Sequence, residues 1–308
     1  SNALFLEALE ACRAALKGRF WQHQSTLRQL AYSYYIQGRF DEADPLLMQS
    51  LELIEGVLSE DHPEVLTTKN GTALLRNAQG RYDEAEALFD VVLEGRTRVL
   101  GEDHSQTVDT MSGLAWVYFN QRRVDEAADL FMAVIEFRGR ELGPDHDGTL
   151  TAMNNLATVY HRSRRFEDAE GLYRESLELR LGKGLEDHPE TLIVMANLGK
   201  LCGDQLRFEE ATELLSETIE RARRVLPEGH WNTGVFIGLL GWVRVRDKRF
   251  EEAEALLLEA HAIISLALGE GNKRSISALQ DVVRMYEVQG SREKAAEWRA
   301  RLVEASAK

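Results

Sequence analysis

The segment Gln79-Gly80-Arg81-Tyr82-Asp83-Glu84-Ala85 decides the fold, because the chain writes it seven times. It stands as QGRFDEA ending at Ala43, QGRYDEA at Ala85, QRRVDEA at Ala127, SRRFEDA at Ala169, QLRFEEA at Ala211, DKRFEEA at Ala253 and QGSREKA at Ala295. Consecutive copies are 42 residues apart, with no insertion. A second ladder keeps the same period: His62, His104, His146, His188 and His230. An unbroken period of this length predicts a tandem array whose units stack into one domain. It overrides the two or so globular domains that 308 residues would otherwise suggest.

Within a unit the apolar residues follow helical spacing. Leu27, Leu30, Ala31 and Tyr34 stand at i, i+3, i+4 and i+7, which predicts one buried stripe. Met153, Leu156, Ala157 and Tyr160 are the matching set three units on. A break at Gly38 suits a helix C-terminus, where glycine enters the left-handed region cheaply. A second helix then opens with acids (Asp41-Glu42, Asp83-Glu84, Glu209-Glu210), as the helix dipole favours, and its stripe runs Ala43, Leu47, Ser50, Ile54, Val57. Each unit therefore reads as helix, short turn, helix. Small residues at Ala31, Ala73, Ala115, Ala157, Gly199 and Gly241 recur where one helix would approach another closely.

The histidines fall in the connection to the next unit. Asp61-His62-Pro63-Glu64 reads as a capping residue, a proline tolerated in the first helical turn, and a Glu three places after Asp61. Five regular histidines invite a metal reading, but distance excludes it. Helices pack about 8–10 Å apart, so equivalent side chains cannot converge on one ion with bonds of roughly 2 Å. Loop-fixing hydrogen bonds and packing are the expected role, and no metal or cofactor is expected.

Composition narrows the classes. Hydrophobic residues are 44% and charged residues 29% of the chain, which describes neither a disordered nor a membrane protein. No apolar run approaches the roughly 18–20 residues of a membrane helix. A net charge of −14 presents the wrong field to a phosphate backbone, so nucleic acid is not an expected partner. Two cysteines, Cys12 and Cys202, form no CxxC pair or disulfide framework, which fits a reducing, cytoplasmic setting. No HExxH, GxSxG or P-loop occurs, and Gly182 and Gly184 make no phosphate-binding fingerprint, so an enzyme is not expected. Cys202 takes the slot of Tyr34 and Tyr160, which reads as a small buried hydrophobe.

The pattern Leu-x2-Leu-Ala-x2-Tyr followed by a GRFDEA-like segment resembles the tetratricopeptide repeat; in the third unit it is Met111, Leu114, Ala115, Tyr118, Ala127 and Phe131. The 42-residue period with LGEDH-type linkers (Leu100 to His104, Leu142 to His146) is similar to the kinesin-light-chain subclass. The resemblance covers about residues 24–305 and implies an all-α, right-handed α-solenoid of seven helix-turn-helix units plus a partial N-terminal unit. Residues 1–3 read as an expression-tag remnant, 4–23 as the helix of a partial preceding repeat, and 24–308 as the solenoid with a capping last unit. Asn272 in place of a sixth histidine, Ser291 in place of the repeated arginine, and Arg299 where Leu47 and Phe89 stand earlier mark that cap. The stretch Tyr286 to Leu302 resembles the ends of repeat regions attached to bacterial serine/threonine kinases.

In that family the first helices line the inner wall that binds extended peptides or partner helices. Helical geometry selects candidates independently, since Arg28, Tyr32 and Tyr35 lie on a second stripe about 120° from the buried one. Carried along the array, the stripe contains Asn70, Trp116, Phe119, Asn154, Thr158, His161, Lys200 and Trp242, with Gln29, Asn155 and Asn197 at the adjoining position. Asn70, Asn154, Asn155 and Asn197 offer both donor and acceptor to a bound backbone, or else stitch neighbouring repeats together. Tyr32, Tyr35, Trp116, Phe119 and Trp242 would form side-chain pockets, or else pack between adjacent helices. Lys200 adds positive charge, with Arg162, Arg246 and Arg284 nearby; Asp109, Asp204 and Glu287 oppose it. The expected function is a protein- or peptide-binding scaffold that uses a concave groove to assemble a complex, in signalling. The alternatives are a self-associating (homo-oligomeric) or spacer module, and the sensor region of a larger kinase or transcription regulator.

Overall fold

A computed structural model describes residues 20–306 of the chain. The expectations for residues 1–3, for most of the helix at 4–23, and for Cys12 lie outside the described residues. Fourteen helices and no strand occur among those described. They are α1 (residues 20–36), α2 (Phe40–Glu55), α3 (Pro63–Ala78), α4 (Tyr82–Leu100), α5 (Ser105–Asn120), α6 (Val124–Glu141) and α7 (Asp147–Arg162). The second half continues with α8 (Phe166–Gly182), α9 (Pro189–Asp204), α10 (Phe208–Val225), α11 (Trp231–Arg246), α12 (Phe250–Leu268), α13 (Lys273–Gln289) and α14 (Arg292–Ser306). The fold is an all-α solenoid of helical hairpins, and it divides into two compact units, one ending at Phe137 and one beginning at Arg138.

The alanine that closes each repeated segment is the innermost residue of its hairpin. Ala43, Ala85, Ala127, Ala169, Ala211 and Ala253 have no exposed surface, and neither have Ala31, Ala73, Ala115 and Ala157 on the facing helices. Where glycine replaces alanine the approach is closer still. A Cβ on Gly199 would meet Leu215 Cγ at 2.8 Å, and one on Gly241 would meet Leu257 at 2.9 Å. Larger side chains fill the space on either side: Phe89 with Leu114 and Val117 in the first unit, and Leu257 with Val282, Met285 and Tyr286 in the second. Two parts of the expected stripes differ. Leu30 is 42% exposed and Val57 67% exposed; Val57 stands beyond the end of α2, so helical periodicity no longer governs it.

The turn inside each hairpin explains the rest of the repeated segment. Its second residue has positive φ, as Gly38 (+75°), Gly80 (+80°) and Gly290 (+85°). The following N–H reaches back to the carbonyl five residues earlier, for instance Arg81 to Arg76 at 2.9 Å, which satisfies an orphan carbonyl of the first helix. The third residue is arginine because three partners converge on it. Arg81 and Arg123 pair with Glu84 and Glu126 one turn on, at 2.5 and 2.6 Å. Arg39, Arg123 and Arg165 lie over the rings of Tyr34, Tyr118 and Tyr160, with Arg123 3.8 Å from its ring centre. Arg123 and Arg207 also reach the preceding hairpin, at Glu86 (2.6 Å) and Glu170 (2.7 Å).

The histidine ladder caps helices. His62, His104, His146, His188 and His230 are the N-cap residues of α3, α5, α7, α9 and α11, and each Nδ1 accepts from the N–H two residues on. For His146 this distance is 3.0 Å, and Asn272 does the same for α13 through Oδ1 at 2.9 Å. The cap therefore sits one residue later than the sequence reading placed it, on His62 and not on Asp61. Asp61 instead pairs with Arg98 at 2.8 Å.

Two stability measurements follow. Arg122, Arg164, Leu206 and Lys248 hold the turn position at φ between +61° and +71°, which costs an L-residue more than glycine. Leu206→Gly is expected to raise stability by about 0.5–1 kcal/mol in urea denaturation, since the Leu206 side chain is 61% exposed and contributes little packing. His146→Ala is expected to cost about 1 kcal/mol and His146→Asn to restore most of it, as the natural Asn272 implies.

Candidate functional site

The odd-numbered helices of a unit pack on one another in series as well as on their even partners. In the first unit α3 meets α5; in the second, α7 meets α9, α9 meets α11 and α11 meets α13. Even-numbered helices meet across repeats through long charged side chains, as Arg174 on α8 with Glu210 on α10 and Arg223 on α10 with Glu259 on α12, both at 2.7 Å. Side chains on the odd helices are therefore neighbours across repeats, and all the candidate residues lie on those helices.

In the first unit, Tyr32, Tyr35 and Asn70 come together around a cleft of about 410 Å³. Its floor is apolar, with Ala31, Leu47, Leu74 and Leu75. The Tyr32 and Tyr35 rings stack at 6.4 Å, Tyr32 being 63% exposed and Tyr35 half-buried. Burial, and then the neighbouring Tyr32, push the Tyr35 phenol above its ordinary range. Arg28 at the rim is held by Glu64 at 2.5 Å. Trp116 and Phe119 sit on α5. Trp116 is half-buried with its edge against Phe119 (5.9 Å) and Phe131 (5.5 Å), while Phe119 is only 7% exposed. Trp116 thus packs against α6 through Phe131.

In the second unit the asparagines meet each other. Asn197 Nδ2 donates to Asn154 Oδ1 at 3.0 Å, joining α7 to α9. Asn155 stands half-buried on α7 beside them. The bond leaves the Asn154 amide hydrogens and the Asn197 carbonyl free to serve a second partner. His161 Nε2 lies 2.8 Å from Asp204, which also pairs with Arg246. Burial works to raise the Asp204 carboxyl, but the bond to His161 and the charges of Arg246 and Lys200 hold it below the ordinary range. Cys202, buried and free, has its thiol pushed up to about 11 by burial, so it is no nucleophile at neutral pH.

Lys200 and Trp242 share a second cleft, of about 480 Å³, with Leu239, Val243, Asp204, Arg246, Asp281 and Arg284. The Arg284 guanidinium lies 5.0 Å from the centre of the Trp242 ring, whose side chain is hydrogen-bonded to Asp281. Burial raises the Asp281 carboxyl although Trp242, Arg284 and Lys200 all act to lower it. Sequence reading missed Asp281. The signal was there, because it continues the position of Gln29, Asn155 and Asn197 into the last hairpin. No group of three or more metal-ligating side chains occurs among the described residues.

A common register underlies these bonds. Asn77–Asn120 (2.9 Å), Asn154–Asn197 and His161–Asp204 each join residues 43 apart, one period plus one. A double-mutant cycle of Asn154→Ala and Asn197→Ala should show a coupling of about 0.5–1.5 kcal/mol in denaturant unfolding. Additive effects would mean that the bond contributes nothing to holding α7 on α9.

The geometry has counterparts among known proteins. One tetratricopeptide repeat family profile matches residues 22–97, 70–138 and 117–182, and a second matches 191–232. A solved putative kinesin light chain from Podosopora anserina, with nearly identical TPR-like repeats, is 24% identical; the match covers 65% of this chain and 94% of that one, with a TM-score of 0.57. The Rap protein complexed with Competence and Sporulation Factor is 15% identical, with 93% and 77% of the two chains covered and a TM-score of 0.63. The apo quorum sensor NprR from B. thuringiensis is 15% identical, with 97% and 82% covered and a TM-score of 0.65. No curated protein matches in sequence. Seven in-phase hairpins, their sequence signature and these profile matches agree: the chain belongs to the tetratricopeptide repeat family.

Proposed function

We propose that this protein is a binding scaffold that holds an extended peptide or protein segment along its odd-numbered helices. The observation that carries this reading is the pair of clefts. Each is built mainly from side chains on first helices and combines an apolar surface, aromatic rings and polar groups. Such surfaces suit a ligand that offers backbone groups to the asparagines and side chains to the clefts. The fold neighbours support a role in protein interaction, one being solved with a bound factor and another described as a quorum sensor. Assembly of a signalling complex is the finer form of the same proposal.

Panning a phage-displayed random peptide library on the protein tests it. Enriched peptides should bind the parent and lose at least tenfold in affinity to Tyr32→Ser or to Lys200→Ser, two exposed positions whose replacement leaves the core intact. Peptides that bind both variants as well as the parent, or no enrichment at all, would sink the reading. A mass that rises with concentration in light scattering, unchanged by either substitution, would then point to self-association.

A further inference from the structure

The cleft of the second unit holds an unusual balance of charge. Lys200 is exposed, and neither it nor Arg284 makes an ion pair within 4.0 Å among the described residues. Arg284 rests against the face of Trp242, and the third cation, Arg246, is occupied by Asp204. Asp204 in turn is held by His161. Asp281 is the remaining carboxylate, and the hydrogen-bond partner it has is a neutral indole. Two cations thus flank an aromatic face and the apolar walls of Leu239 and Val243, with one acid that neither of them neutralises by contact.

We propose that this cleft takes a single anionic group carried on an apolar or aromatic side chain of the bound peptide. Lys200 and Arg284 are its counter-charges, and Asp281 is a built-in competitor that sets how tightly the anion is held. The inference rests on the reading of the odd-numbered helices as a peptide-binding surface. Charge sets the ligand class. A net charge of −14 repels an acidic run at distances up to about a Debye length, roughly 10 Å, so a long acidic stretch is disfavoured. One acid that reaches between Lys200 and Arg284 gains their attraction at contact range, while its apolar portion covers Trp242. The competing charge of Asp281 then filters out weakly placed anions.

The probes are phenylacetate and its neutral isostere phenylacetamide, followed through the Trp242 indole N–H resonance, which Trp242→Phe assigns. Phenylacetate should shift that resonance saturably and phenylacetamide should not. Asp281→Asn keeps an acceptor for the indole and removes the charge, and should tighten phenylacetate roughly three- to tenfold. Lys200→Gln together with Arg284→Gln should abolish the response; Lys200→Gln alone, at an exposed position, should weaken it if the double variant does not fold. An equal response to both probes, no response to either, or an unchanged or weaker affinity in Asp281→Asn would overturn the proposal. Because the probes are small molecules, they report on the cleft whatever the peptide library shows. Phenylacetate binding without any enriched peptide would leave the cleft standing and remove the peptide surface. Enriched peptides without an acid that needs Lys200 would do the reverse.

Discussion

Two helices can lie close only where their facing side chains are small, and this contact sets everything else in the chain. The alanines at 43, 85, 127, 169, 211 and 253 are fully enclosed, as are Ala31, Ala73, Ala115 and Ala157 on the first helices, and Gly199 and Gly241 leave no room for a Cβ. A longer side chain at any of them would push the pair apart and unseat the larger residues beside it. The turn and its arginine serve that contact. They fix where the second helix starts, so that each alanine arrives at its enclosed place.

A hairpin so built buries only one side of each helix, and the next hairpin covers the other. The chain reinforces the second contact with polar bonds. Arg96 and Arg138, a period apart, each donate from Nη1 to the backbone carbonyl ten residues on, at 2.8 and 2.9 Å, and so tie the end of one hairpin to the start of the next. Arg180 holds the same position with no exposed surface and reaches Asp147 at 3.3 Å. Burying a guanidinium is costly unless its donors are met. Arg96 and Arg138 offset part of that cost on neutral carbonyls, whereas Arg180 has the Asp147 carboxylate and no hydrogen-bond partner at Nε and Nη2. The exposed pairs on the second helices, such as Arg98 with Glu94, add little by comparison.

The fold was legible because its information is periodic. Helix type, hairpin pairing, the acids at the start of second helices and the small-residue ladder all repeat, so each unit checks the others. What escaped was local geometry. Nothing in the string Asp61-His62-Pro63 tells which side chain turns back on the helix, since aspartate is the commoner cap. The exposure of Leu30 and Val57 reflects where neighbouring surfaces end, which a stripe cannot convey. The candidate positions were legible as a face, but their partners were not. That Asn154 and Asn197 bond each other depends on a one-residue advance between adjacent helices, visible only once they are stacked. Asp281 escaped for a plainer reason, because the ladder of Asn155 and Asn197 passes through Leu239 before reaching it.

The recurring offset of 43 has a consequence for how such a chain can change over generations. Three bonds from one first helix to the next, Asn77–Asn120, Asn154–Asn197 and His161–Asp204, are written in the same relative address. Recombination that duplicates or deletes a whole 42-residue module leaves each address valid, so the array can lengthen or shorten without any contact being redesigned. Loss of one codon inside a helix between Asn154 and Asn197 rotates everything downstream by about 100° and breaks the address at once. Such a gene tolerates changes in copy number far better than changes in reading length within a copy, and new binding faces arise by shuffling modules whose joints already fit.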